Sequence, residues 1–548
     1  MNGAAIALEA LAREGVSVIF GYPGAAIAPF YEELSKRDDI RHILVRNEQN
    51  AGHAASGYAR ASGKAGVCCT TSGPGATNLI TALATAYMDS IALVAITGQV
   101  PTDILGHDAF QEADITGACE SFTKYSYLCK DINELPRIIK EAFHIAQTGR
   151  PGPVLIDLPI DVQLAEAEPV FPQSVDITGY KPRTKGHPVQ IKKAITAISE
   201  AEKPVICTGG GVVSAQARKE LTALAEQLSI PVVSTLMGVG TMSIDHPLYM
   251  GMLGTHGCPA AKKVVSQADL LILCGARVGD RTIAGRGQIK SDAKIIHIDI
   301  DPVEIGKNMS AHIPIVGDIR LILRALLAES EPCSHTDWIE QTAQWKKDSL
   351  AEEQEYADHV NPRRFIRLLS QKVGKNKKAI LTADVGQNQI WAANSFNFEG
   401  GRFLTSGGMG TMGYSIPAAM GAKLAKPSRE VIAVCGDGSF QMMLPELATI
   451  MQHGIAIKII VMKNGRLGMI RELQETSFGH TTDCMELGSL PDISKLAEAY
   501  GIKTCKVKSD ADSNEALDLM LKSRSLFIII CSVDENENSI LAPVSEDK

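Results

Sequence analysis

The sequence predicts an α/β fold of three doubly wound parallel-sheet domains, and three observations carry that expectation. Short apolar runs closed by glycine-rich or polar turns recur along all 548 residues and alternate with helix-forming stretches. Three such strand-to-helix turns fall early, at Gly21-Tyr22-Pro23-Gly24, at Val45-Arg46-Asn47-Glu48 and at Thr70-Thr71-Ser72-Gly73-Pro74-Gly75-Ala76-Thr77-Asn78. Further on, the apolar run Val431 to Cys435 opens into Gly436-Asp437-Gly438-Ser439-Phe440, and the run Ile457 to Met462 opens into Lys463-Asn464-Gly465. A helix around Leu444 to Gln452 between these runs makes them neighbouring parallel strands. Asp437, in the loop after the first, and Asn464, at the end of the second, then share one carboxyl edge, where open α/β sheets bind ligands.

In chain order, the first block spans residues 1–165 and closes on Arg150-Pro151-Gly152-Pro153-Val154-Leu155-Ile156-Asp157-Leu158-Pro159. The polar stretch Pro172 to His187, with its prolines and glycines, reads as a linker. A second block, 188–335, opens a new α/β unit at Pro204-Val205-Ile206-Cys207-Thr208-Gly209-Gly210-Gly211, with later strands at Leu270 to Cys274 and Ile295 to Ile300. The acidic stretch Glu329 to Glu355 reads as a connection with some helix. The third block, 360–535, holds Asp437 and Asn464, and 536–548 form a C-terminal tail. The size prior of about three or four units for such a length agrees.

Composition excludes several classes. The formal charge is −8 with no basic block, so no nucleic-acid footprint is indicated. The N-terminus passes straight into an amphipathic helix without a cationic lead, and apolar runs such as Phe527 to Cys531 are far shorter than the ~20 residues of a spanning helix. A soluble cytoplasmic protein is expected. The twelve cysteines are scattered without metal spacing and read as small buried thiols in a reducing compartment.

An Asp and an Asn on adjacent strand ends offer the hard oxygen ligands that Mg²⁺ or Ca²⁺ takes, and Mg²⁺ completes its octahedron with phosphate oxygens and water. Gly-Asp-Gly alone equally makes a tight turn after a strand; the downstream Asn464 favours the metal. Together, Gly436-Asp437-Gly438 and Asn464 resemble the cofactor motif of thiamine diphosphate enzymes. The resemblance implies that Asp437, Asn464 and the backbone carbonyl of Arg466 hold Mg²⁺ on the diphosphate, with Gly438, Ser439, Met469 and Ile470 beside the cofactor. It also requires a carboxyl group on the aminopyrimidine ring, and Glu48 is the candidate. A Glu in the first turn of a helix is more commonly a solvated residue complementing the helix dipole. The turns carrying Tyr22, Pro23, Pro74 and Asn78 on either side favour the catalytic reading.

The middle block resembles the FAD-binding domain of the acetohydroxyacid (acetolactate) synthases, through Leu253-Gly254-Thr255-His256-Gly257, Gly275-Ala276-Arg277-Val278-Gly279-Asp280-Arg281, Ile296-His297-Ile298-Asp299-Ile300-Asp301-Pro302 and Gly317-Asp318. As isolated glycine-rich loops these would suit any nucleotide or a tight turn. The resemblance implies FAD contacts from Gly209, Gly210, Gly211, Thr235, Leu236, Gly254, Thr255, His256 and Gly275, charge from Arg277 and Arg281, and hydrogen-bond acceptance by Asp299 and Asp318. It extends over nearly the whole chain. Asp108-Ala109-Phe110-Gln111-Glu112-Ala113-Asp114 matches a loop that reaches the reacting carbon with Phe110 and Gln111. Val385, Gly386, Gln387 and Asn388, with Gly410 and Met412, match cofactor contacts, Met412 lying beneath the bend of the cofactor. Such a Met is otherwise ordinary core filler.

The implied activity decarboxylates pyruvate and joins the two-carbon unit to a second 2-ketoacid, pyruvate or 2-ketobutyrate, in branched-chain amino acid biosynthesis, with FAD structural. In that family the cofactor spans two subunits, implying a homodimer or homotetramer, and members often work with a small regulatory subunit. Several positions depart from the family pattern: Ala25 replaces a Gly, Ile160 a Lys, Thr255 a Met, Asn388 a His, and Leu473 a Trp that favours 2-ketobutyrate. These departures leave open neutral drift or another acceptor, and with it a related decarboxylase or lyase acting on a different 2-ketoacid or acyl-CoA. A non-catalytic cofactor-binding subunit is a further alternative, against which the preserved Glu48 and metal ligands speak. His53 reads as a packed helix residue, and His480 as part of a polar loop closing over the site.

Overall fold

The computed structural model describes residues 1–283, 289–349, 354–374, 378–479, 484–489 and 491–540; His480 and the end of the tail lie outside the described residues. Eighteen strands form three six-stranded sheets, and every strand pairing within them is parallel. The first contains β1 (Val18–Tyr22), β2 (Arg41–Leu44), β3 (Gly66–Thr70), β4 (Leu93–Gln99), β5 (Tyr125–Leu128) and β6 (Pro153–Pro159), ordered β2-β1-β3-β4-β6-β5. The second contains β7 (Pro204–Thr208), β8 (Val232–Ser234), β9 (Tyr249–Met252), β10 (Leu270–Cys274), β11 (Lys294–Asp299) and β12 (Ile313–Val316), ordered β12-β11-β10-β7-β8-β9. The third contains β13 (Ile380–Ala383), β14 (Arg402–Leu404), β15 (Val431–Gly436), β16 (Lys458–Lys463), β17 (Lys503–Val507) and β18 (Phe527–Ser532), ordered β14-β13-β15-β16-β18-β17. Counted within each sheet, the first and third share the order 2-1-3-4-6-5, whereas the second has the dinucleotide-fold order 3-2-1-4-5-6.

The central strands are apolar and buried on both faces because helices cover both sides of each sheet. The first and third sheets are joined by two small-residue helices, Glu48–Ser62 and Ser415–Ala425. A Cβ on Gly57 would stand 2.0 Å from the Ala418 carbonyl oxygen, and one on Gly421 would stand 1.8 Å from that of Ala54. Backbone therefore packs on backbone at this crossing, between helices whose buried residues are mostly alanine, serine and glycine.

Two connecting stretches are more tightly held than their composition suggests. Pro172 to His187 has neither helix nor strand, yet Ile177 and Tyr180 pack on the first core and the Tyr180 hydroxyl donates to Thr148 O at 2.8 Å. Its end is pinned to the middle sheet, where Asp318 N donates to Thr184 O at 2.7 Å. Within Glu329 to Glu355, the Thr336–Asp348 helix buries Trp338, whose indole N–H donates to Pro204 O at 3.1 Å. The cysteines are free, and most are buried. Among the described residues no helix is long and apolar enough to cross a membrane.

Candidate active site

At the carboxyl edge of the first sheet, β1 and β3 are neighbours, with Tyr22 opposite Thr70. The turns that follow bring together Tyr22 and Pro23, the 3-10 turn beginning at Ala25, and the short helix Pro74–Thr77. The turn after β2 contributes Asn47, which caps the Glu48–Ser62 helix by accepting from Gln49 N, so Glu48 is its first residue. Asn78 Nδ2 donates to Glu48 Oε2 at 2.9 Å. Glu48 is half-buried, while Tyr22, Pro74 and Asn78 are exposed around it.

The loop carrying Phe110 and Gln111 folds onto this edge, because a Cβ on Gly73 would lie 2.9 Å from Gln111 Cβ. Asp108 and Gln111 both have left-handed backbones, with φ of 54° and 59°, a strain that side-chain-bearing residues adopt only where surrounding contacts impose it. Glu112 braces the loop by accepting from the backbone N–H groups of Gly106 and Ala109. Phe110 projects into solvent, 86% exposed. Ile160 begins a short helix after β6; the next residue, Asp161, accepts from Thr102 Oγ1 at 2.5 Å and so fastens that helix to the loop after β4.

At the carboxyl edge of the third sheet, β15 and β16 pair in register up to Gly436 opposite Met462. Asp437 lies not in a loop, as its glycine neighbours suggested, but as the first residue of a short helix, Asp437–Met442. The residue is 3% exposed, and its carboxylate accepts from Gly465 N at 2.9 Å. Burial raises its pKa, and among the described residues no Lys or Arg pairs with it. Asn464 Oδ1 accepts from Arg466 N at 3.1 Å and its Nδ2 donates to Gln387 Oε1 at 3.1 Å. Among the described residues no cluster of three His, Cys, Asp or Glu side chains forms a metal site. The Asp437 and Asn464 oxygens therefore suit a divalent ion that brings other ligands with it, such as phosphate oxygens.

Around this pair, Asn388 is buried and its Nδ2 donates to Asp384 O at 2.9 Å and to Val434 O at 3.2 Å, bridging the ends of β13 and β15. Its Oδ1 points toward Gly386 and Gly436. Asp384, which the sequence did not single out, is fully buried and accepts from Gly413 N at 2.8 Å and Ser415 N at 2.9 Å. It thereby fixes the turn carrying Gly410 and Met412, and the Met412 side chain reaches Gly438. From the first sheet's side, Asp89 accepts from Gly408 N at 2.7 Å and Thr85 Oγ1 meets Thr411 Oγ1 at 2.7 Å. Met469, Ile470 and Leu473 lie on the Gly468–Ser477 helix; Ile470 and Leu473 are exposed. The first residues of the tail cross that helix: Arg471 Nη2 donates to Glu537 O at 2.8 Å and Ser539 Oγ to Glu472 Oε2 at 2.6 Å, and Gln387 Nε2 also donates to Glu537 O at 2.5 Å.

In the second sheet the order reverses between β7 and β10, and that crevice is where an open α/β sheet takes a ligand. Gly209-Gly210-Gly211 follows β7 and Gly275 follows β10, so close that a Cβ on Gly209 would stand 2.3 Å from Gly275 O. Thr235 caps the 3-10 turn that begins at Leu236. Gly254, Thr255 and His256 follow β9, with Thr255 N donating to Arg281 O at 3.0 Å. Arg277 approaches Gly408, whereas the Arg281 side chain is 72% exposed. Asp299 is buried, which pushes its carboxyl up to about 6, and one oxygen holds its own turn through Asp301 N. Asp318 uses Oδ1 to cap the Ile319–Glu329 helix. His297, on the same face of β11 as Asp299, is buried, and that burial lowers its pKa. His53 packs edge-on to Tyr414, and burial holds its imidazole down at about 3.

Among the described residues no hydrogen bond joins Glu48, Asn78 or Gln111 to Asp437, Asn464 or Gln387.

Comparison with known proteins gives these edges a common identity. Three family descriptions match in sequence: the N-terminal TPP binding domain of thiamine pyrophosphate enzymes over residues 1–118, their central domain over 191–326, and their C-terminal TPP binding domain over 384–531. A protein of Methanocaldococcus jannaschii named as a probable acetolactate synthase large subunit is 47% identical, covering 99% of this chain and 94% of its own. The acetolactate synthase large subunit of Corynebacterium glutamicum is 44% identical, covering 96% and 85%. The acetolactate synthase of Arthrospira platensis is 44% identical, covering 98% and 95%. The chain belongs to the acetolactate synthase family of thiamine pyrophosphate enzymes.

Proposed function

We propose that this chain is the catalytic large subunit of an acetolactate synthase, which releases carbon dioxide from pyruvate and joins the remaining two-carbon unit to a second pyruvate or to 2-ketobutyrate. The observation that carries this reading is the pair of complementary edges, a helix-borne acid held by Asn78 on one sheet and the buried Asp437 with Asn464 on another. Thiamine diphosphate, when bound, supplies the electron sink that lets carbon dioxide depart.

The residues fit that group. Asp437, Asn464 and the carbonyl of Arg466 would hold Mg²⁺. Val385, Gly386, Gln387, Asn388, Gly438 and Ser439 would surround the diphosphate, while Gly410, Met412, Met469 and Ile470 would line the rings. Glu48 exchanges a proton with the pyrimidine nitrogen, and Tyr22, Pro23, Pro74 and Asn78 close that end. The absence, among the described residues, of any hydrogen bond joining these two sets of residues within one chain supports a complete site that takes Glu48 from one copy and Asp437 from another, in a homodimer at least. Ala25, Phe110, Gln111, Ile160 and Leu473 face the substrates, with Gln111 held in its strained turn to reach them. FAD would lie in the glycine-lined crevice of the middle sheet, against Gly209, Gly210, Gly211, Thr235, Leu236, Gly254, Thr255, His256, Gly275, Arg277, Arg281, Asp299 and Asp318. The relatives named as large subunits support a smaller partner subunit.

Product identification tests the reading. Supplied with thiamine diphosphate, Mg²⁺ and FAD, the protein should convert pyruvate to 2-acetolactate and, with 2-ketobutyrate added, form 2-aceto-2-hydroxybutyrate. Acetaldehyde as the sole product, or no turnover of pyruvate, would contradict it.

A further inference from the structure

We propose that Glu446 is a positioning residue for the reaction, a buried carboxylate from the metal-binding part of the chain that grips the turn from which Glu48 projects. Glu446 opens the Glu446–His453 helix, directly after the Asp437 helix, and its side chain is 0% exposed. Its Oε1 accepts two hydrogen bonds, from Arg46 N at 2.9 Å and from Asn50 Nδ2 at 2.9 Å. Its Oε2 accepts from Thr449 Oγ1 at 2.7 Å. Among the described residues it forms no ion pair, so these bonds alone compensate its burial.

The two groups on Oε1 bracket Glu48, one two residues before it and one two residues after. The same helix strengthens the grip, since Gln452 Oε1 accepts from Arg46 Nη2 at 2.6 Å and His453 O accepts from Arg41 Nη2 at 2.9 Å. Glu48 sits in the first turn of its helix, where backbone N–H groups lack intrahelical partners and fraying begins. Without Glu446, the Arg46 N–H and the Asn50 amide lose their shared acceptor, and Glu48 is left with the Asn47 cap, Asn78 and the more distant side-chain bond from Arg46 to Gln452. A contact serving only to dock two sheets has no reason to address a single backbone N–H beside Glu48, and the Gly57 and Gly421 crossing already provides docking. The clamp ties the acid of one edge to the element that follows the metal ligand of the other.

The inference rests on the assignment of Glu48 to the pyrimidine, and the experiment separates the two. Hydrogen–deuterium exchange at the thiazolium C2 of bound thiamine diphosphate is measured in the full-length, cofactor-loaded protein and in Glu48→Gln, Glu446→Ala, Glu446→Gln and Asn50→Ala. Backbone amide exchange across residues 44–52 is measured in the same proteins without cofactor. In Glu446→Gln the amide oxygen still accepts from Arg46 and Asn50 and the NH₂ donates to Thr449, so its C2 exchange should stay within about threefold of the parent. Glu446→Ala should slow C2 exchange about tenfold or more and lose amide protection at 44–52, because small misplacements of a reacting group are that costly. Asn50→Ala, which removes one donor only, should fall between them, and it decides the matter if Glu446→Ala does not fold. Parent-like C2 exchange in Glu446→Ala, or in Asn50→Ala where that variant decides, would overturn the inference while slow exchange in Glu48→Gln leaves the functional reading standing. Equal damage from Gln and Ala at 446 would also overturn it, and parent-like exchange in Glu48→Gln would overturn both.

Discussion

The first and third sheets order their strands identically, yet their carboxyl edges carry different chemistry. After its third strand the third sheet places Asp437, where the first places Thr71, Ser72 and Gly73; after its fourth strand it places Asn464, where the first places Val100 and Pro101. After its second strand the first sheet leads into Glu48, where the third leads into the turn with Gly410 and Met412. Topology alone therefore selects no function; it supplies equivalent positions that the sequence fills differently. Burial differs too: Asp437 is enclosed and braced by a backbone N–H, which suits the metal-ligand role proposed for it, whereas Glu48 is half-open and braced by an exposed Asn78, which suits the proposed meeting with a cofactor held by another copy.

The comparison can be broken at several points. The largest effect is expected from Glu48→Gln, which should lower kcat by about 10²–10⁴-fold, the range of general acid–base contributions, while leaving Mg²⁺ binding intact. Equal losses in both would mean that the two edges do not divide the work. Gly421→Ala should destabilise the chain by about 1–3 kcal/mol through overpacking of the crossing helices, read as a lowered Tm; an unchanged Tm would deny that backbone contact sets the sheets' spacing.

A pH effect distinguishes the sheets further. Asp157, buried on β6 and accepting from Thr97 Oγ1 at 2.6 Å and Gln99 Nε2 at 2.8 Å, is pushed up by burial from 3.8 to about 7. The folded chain thus holds a proton that the unfolded chain releases, so this group's stabilisation is full below about 4 and is lost as pH rises to about 7. Asp157→Asn should flatten the decline of Tm over that window, and an unaltered slope would rule out Asp157 as its source. The smallest effect is expected from Leu473→Trp, which should shift acceptor choice toward 2-ketobutyrate by roughly tenfold, in keeping with small apolar changes in a pocket. Competition between the two acceptors, read by product ratio, checks it.

Much of this was legible in the sequence because buried parallel strands are continuous apolar runs whose ends announce the site. Val431 to Cys435 and Ile457 to Met462 located Asp437 and Asn464 on one edge, and the observed strands differ from those runs by one residue at some ends. The sequence did not reveal strand order, since periodicity carries no information about neighbours in a sheet; the reversal between β7 and β10 emerges only in three dimensions. It also missed Asp384, Asp89 and Glu446, whose partners lie far away in the chain or in a backbone turn and leave no local pattern. Asn388, noted as a departure from a family His, proves to bridge two strand ends through its amide, a role that residue type alone does not disclose.

The most direct test of a site divided between two copies is complementation between two inactive chains, Glu48→Gln and Asp437→Asn, dissociated, mixed in equal amounts and reassembled. If each site draws Glu48 from one copy and Asp437 from the other, half of the random dimers are mixed and each has one intact site, so roughly one quarter of the parent activity should return. If both residues of a site came from the same chain, every site would carry one lesion and the mixture would stay as inactive as its components.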